Sequence, residues 1–104
     1  MSERIGPKEY ISEQLALHNI KIPEEYQTVF DNHVDVLTQR ILNNECVSTD
    51  TSEMEEQLDQ ESLDLSEKTL SHLFTEYGVE PSRTEIVLFA IYINLAKEEE
   101  KNNG

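Results

Sequence analysis

The side chains in this sequence with nitrogen or sulfur suited to nucleophilic or metal chemistry are few: His18, His33, His72 and Cys46. A neutral imidazole is a competent nucleophile near pH 7, because an ordinary pKa of about 6.5 leaves most of it unprotonated. Zinc would need several such ligands close together, and no CxxC or HxxxH spacing gathers them. No metal and no cofactor is therefore expected. The 22 Asp and Glu residues are abundant, yet none accompanies a nucleophile motif or a glycine-rich loop. They read as a solvated acidic face, and the expectation is a binding module rather than an enzyme.

His33 differs from the other two histidines in its surroundings. Arg40 follows on the same run of chain, about two helical turns and ~10 Å further along nearly the same face. A guanidinium so placed can pair a phosphate. Asp31 and Asp35 flank His33, and their charge would oppose an added anion. The same histidine also falls in a stripe with Phe30 and Leu37, and spacing alone reads it as packing. His18 sits where a first helix should end, with its charge suited to the negative end of the dipole. His72, among Leu70, Leu73 and Phe74, reads as half-buried packing.

Helices must position these groups, and the pattern predicts about five. Pro7, suited to a first turn, opens a helix over about 7–18, in which Tyr10, Ile11, Gln14, Leu15 and His18 follow three-four spacing. Pro23 starts a second, with Glu24 and Glu25 in its positive first turn. Tyr26, Phe30, His33, Leu37 and Ile41 make its stripe, and Asn43-Asn44 ends it. Residues 45–67 carry nine acids and no base, a run that is either a solvated face or a mobile segment, with residues 45–61 the most open to motion. Ser52 with Glu55 suggests a capping box, giving a short third helix near 52–61. A fourth over 65–77, either separate from it or continuous with it, ends at Gly78. Ser82 with Glu85 makes another capping box, followed by eleven residues from Ile86 to Ala96 of which only Asn94 is plainly polar. That helix must be surrounded, inside a bundle or at a subunit interface. The charged tail, 98–104, is expected to fray.

Composition narrows the function. The 104 residues fit one domain, 1–104, with one modest core. Eight Lys and Arg against 22 acids give a net charge of −14. Nucleic-acid affinity rests on basic groups that release counterions, so direct DNA or RNA binding is not expected. An anionic membrane repels the chain for the same reason. One cysteine allows no internal disulfide, and the start, MSERIGPKEY, lacks the apolar core of a signal peptide. The expected location is the cytoplasm.

Two stretches resemble a known family. His33-Val-Asp-Val-Leu-Thr-Gln-Arg40 is similar to the His-x6-Arg helix of the PTS regulation domain (PRD) of bacterial antiterminators and sugar-operon activators. LFTEYGVEPSRTEIVLFAIYINLAK resembles that domain's final helix-turn-helix. The likeness covers about 23–44 and 68–97. It implies an all-α bundle of five helices that dimerises, and histidines that accept phosphoryl groups from sugar-transport phosphocarriers. It makes His33 the candidate phosphoacceptor and Arg40 the candidate phosphate-pairing cation. The family's second histidine falls on Tyr92, which retains a ring with a hydrogen-bonding tip. With no nucleic-acid-binding domain in the sequence, the resemblance implies a stand-alone regulatory or adaptor module, forming a homodimer linked to sugar transport. The other readings are an acidic protein–protein interaction module, binding a basic partner through 45–67 with His33 inert, and an accessory subunit of a metabolic enzyme complex.

Overall fold

Three left-handed residues punctuate the chain and explain where its helices stop. Asn19 (φ 58°), Asn44 (φ 57°) and Gly78 (φ 66°) each follow a helix, and each lets the next amide reach back to the last turn. Those amides are Ile20 to the Leu15 carbonyl at 2.8 Å, Glu45 to Arg40 at 2.8 Å and Val79 to Phe74 at 2.9 Å. Asparagine tolerates this conformation better than other residues with a β-carbon, and glycine adopts it without strain. The computed structural model describes residues 6–103, with side chains through residue 100. It contains α1 (Pro7–Leu17), α2 (Glu24–Leu42), α3 (Ser52–Glu56), α4 (Gln60–Tyr77) and α5 (Arg83–Asn103). No strand occurs among the described residues, so the expected all-α bundle of five helices is what forms. No helix among them is long and apolar enough to cross a membrane.

The acidic middle departs from expectation. Ser52 does not cap α3: its amide and hydroxyl both turn back to the Asp50 carboxylate, the amide at 3.0 Å. A carboxylate two residues upstream is a competing local acceptor, so the chain makes an Asx turn there. The helix expected to run to 61 stops at Glu56, and α4 begins at Gln60 rather than 65. Asp59 is the reason, since its side chain accepts the Ser62 amide at 2.7 Å and caps α4. In the tail, α5 extends through residue 103, and Gly104 lies outside the described residues. Glu and Lys are strong helix formers, and Lys97 is anchored to Asp59 and Glu61 at 3.2 and 2.8 Å.

α5 is apolar nearly all round because it serves two clusters. Ile86, Phe89, Ile93 and Ala96 face the main core, with Ile11 of α1, Leu37 and Ile41 of α2, and Leu70, Leu73 and Phe74 of α4. Val87 and Ala90, about a quarter-turn round, close on Leu63 and Leu58. Each fully buried Leu, Ile or Phe contributes about 1.5–3 kcal/mol. The α4–α5 contact is the most extensive in the fold. Small residues bring these helices close, and the Ser66 hydroxyl donates to the Ile86 carbonyl at 2.6 Å.

Candidate functional site

The seam between α2 and α5 gathers the residues singled out from sequence. His33 lies half-buried on α2, and its ring centroid is 5.2 Å from that of Tyr92 on α5. Tyr92 in turn meets Phe30 edge-on at 5.3 Å. The two positions that the resemblance singles out, His33 and Tyr92, thus lie directly against each other. The His33 Nε2 is buried and has no hydrogen-bond partner among the described residues, an arrangement that costs about 1–3 kcal/mol. Burial pushes the imidazole below its ordinary pKa of 6.5. The Glu85 carboxylate works against that shift and the Arg40 guanidinium with it. His33 is therefore neutral at pH 7 and keeps a nitrogen lone pair.

Arg40 is not free to wait for an anion. Its Nε lies 2.7 Å from one oxygen of Glu85, and its terminal amino group donates to the other at 3.2 Å. Glu85 is fully buried while the Arg40 side chain is 24% exposed, so a buried charge is neutralised by one that reaches water. The Glu85 carboxylate also accepts the Val47 amide at 3.2 Å.

That amide belongs to a strap without helix or strand, residues 45–51, tied to the first turn of α5. The Ser82 hydroxyl donates to the Val47 carbonyl at 2.6 Å and accepts the Glu85 amide at 3.2 Å. The Thr84 hydroxyl accepts the Thr49 amide and donates to the Thr49 carbonyl, both at 2.8 Å. Half of the expected Ser82–Glu85 capping box forms, and the carboxylate turns instead to Arg40 and the strap. Cys46, half-buried on the strap, has its thiol pushed up by burial and by Glu85, with Arg40 opposing. A raised pKa keeps it a poorly reactive thiol.

The other sequence candidates lie elsewhere. His18 closes α1, its Nδ1 2.9 Å from the Gln14 carbonyl. His72 stacks on Tyr10 at 4.3 Å and pairs with Glu76 at 3.1 Å, clasping α1 to α4. No group of three or more His, Cys, Asp or Glu able to hold a metal occurs among the described residues.

Glu85 is the residue that sequence reasoning undervalued. Its spacing from Ser82 marks it only as a cap, whereas its burial demands a cation, and that cation lies on another helix. No family model, no curated protein and no solved structure matches the chain.

Proposed function

We propose that this protein is a PRD-like regulatory or adaptor module in which the α2–α5 seam is the switch and His33 accepts a phosphoryl group from a sugar-transport phosphocarrier. The observation that carries the reading is the neutral, half-buried His33 with its unpartnered Nε2, set against Tyr92 and within the fields of Arg40 and Glu85. A lone pair on the His33 ring forms the new P–N bond as the bond on the carrier breaks, and the electron pair of that bond stays with the carrier. A phosphoryl group brings about −1.5 to −2 charges. Next to Glu85 it competes for Arg40, and buried Glu85 without its cation is strongly disfavoured. The result is a weakened hold on Val47 and the strap.

The reading includes a homodimer. On α5, Leu88, Ile91 and Leu95 are half-buried beyond the two core clusters, and on α2 Val29 and Val36 are 54% and 47% exposed. These positions flank Tyr92 and His33 on their respective helices, so the apolar strip borders the switch. A symmetric pair is the commonest closed assembly. Light scattering should give twice the 12.0 kDa chain mass, and a monomer at every concentration would remove the dimer from the reading.

Mixing purified protein with a phosphorylated phosphocarrier tests the central step. Acid-labile phosphate should appear on His33 alone, and His33→Ala should abolish it with the helical spectrum unchanged. Absence of label on the wild-type protein with cognate carriers would reject regulation by phosphorylation.

A further inference from the structure

The acidic run 45–67 is the obvious place to look for a basic partner, but the fold already supplies much of it with cations. Arg83 holds Glu55 and Glu67 at 2.7 and 3.0 Å, and Lys97 holds Asp59 and Glu61. A different surface carries three glutamates outside these pairs. An open groove of about 1150 Å³ lies between the start of α2 and the end of α5. Its floor is apolar, with Ile22 and Ala96 only 7% and 4% exposed. Its rim carries Glu24 and Glu25 on one side and Glu100 on the other, with Lys21 as a cation at the edge. Among the described residues, none of those three glutamates makes an ion pair.

We propose that this groove docks a basic amphipathic helix of a partner protein, its apolar face on Ile22 and Ala96 and its lysines or arginines against Glu24, Glu25 and Glu100. An apolar floor with a charged rim is how helix-binding grooves combine affinity with choice of partner. Charge decides the occupant. A second copy of this chain is a poor source of cations for the rim, because Lys8, Arg40, Arg83 and Lys97, half of its eight, are engaged with its own carboxylates. Nucleic acid and anionic lipid are repelled by the net charge of −14. The last turn of α5 beyond Lys97, through Glu99 and Glu100, makes one wall. This inference does not rest on His33 and stands or falls apart from phosphorylation.

The test titrates the isotope-labelled protein with a short designed amphipathic helix of leucine and lysine. Its two controls are the leucine–glutamate counterpart and a lysine peptide of equal charge without an apolar face. The expected result is saturable binding of the first alone, with amide shifts concentrated in residues 19–27 and 96–100. Glu25→Lys with Glu100→Lys should weaken binding about tenfold, while the same charge change at Glu45 and Glu56, away from the groove, should leave it nearly unaltered. Thermal melts establish that both variants fold. No binding, equal binding of the non-amphipathic peptide, equal weakening by the two variants, or shifts centred on α3 would each overturn the proposal.

Discussion

Two sets of arginine–glutamate contacts sit at the first turn of α5, one at the surface and one buried, and their difference shows how burial sets what a charge is worth. Arg83, 46% exposed, reaches Glu55 and Glu67 at the surface. Glu85, two positions on, is fully buried and held by Arg40 from α2. The surface pairs hold Glu55 below the ordinary carboxylate range through the Arg83 hydrogen bond, yet water can replace either partner at little cost. Water cannot reach Glu85. Losing its cation would strand a carboxylate in the core of the seam. One set decorates the α3–α4–α5 surface; the other fixes how α2, the strap and α5 sit together.

Removing Arg40 should therefore have the largest effect. Arg40→Ala is expected to destabilise the fold by about 3–5 kcal/mol, the range for breaking one side of a buried pair, as read by urea melts. Replacing both partners with apolar residues, Arg40→Met with Glu85→Leu, should recover much of that loss, because the stranded charge is gone. A double variant as unstable as Arg40→Ala would show that the hydrogen bond to Val47, not the charge, matters most. Thr84→Val comes next, at about 1–2 kcal/mol, since it removes both strap bonds at Thr49 and leaves that amide short of an acceptor. Glu85→Gln belongs in the same range: it removes the buried charge but keeps an oxygen for the Val47 amide, while Arg40 can turn to water.

A smaller effect comes from His33. Its folded pKa lies below 6.5, so the unfolded chain binds the proton first. Stability is therefore unaffected by this group above about pH 7 and falls as pH drops through 6.5 toward the folded value, by at most about 1.4 kcal/mol per pH unit. His33→Asn should flatten that part of the stability profile and leave the fall below pH 4.5, where Glu55 and Asp59 titrate, in place. An unchanged slope between pH 7 and 5 would mean the histidine is not desolvated. Arg83→Ala should move the melting curve least of all; a loss as large as that of Arg40→Ala would break the comparison outright.

Much of this fold is legible in local chemistry. The stripes on α2 and α5 and the stop at Gly78 need only periodicity and one left-handed residue, and α1 ends within a residue of its expected limit. The acidic middle is not legible in that way. Ser52 looks like a cap until Asp50 is seen to take its hydroxyl and amide, and the strap from Glu45 to Thr51 has no periodic signal because its partners, Ser82, Thr84 and Glu85, lie on another element. The site shows the same division. His33, Arg40 and Tyr92 could be marked from the sequence and the family it resembles. That Arg40 is already bound to Glu85 depends on how α2 crosses α5, which no spacing along either helix encodes.

Hydrogen exchange at the Val47 and Thr49 amides, with and without a phosphorylated phosphocarrier, reads out whether phosphate at His33 loosens the strap. Both amides are held by α5 side chains, Val47 by Glu85 and Thr49 by Thr84. If His33 takes up phosphate and draws Arg40 from Glu85, Val47 should exchange markedly faster, Thr49 should follow, and His33→Ala should show no change. Phosphorylated protein whose strap amides stay as protected as before would contradict the account, because the switch would then not act through the Arg40–Glu85 pair.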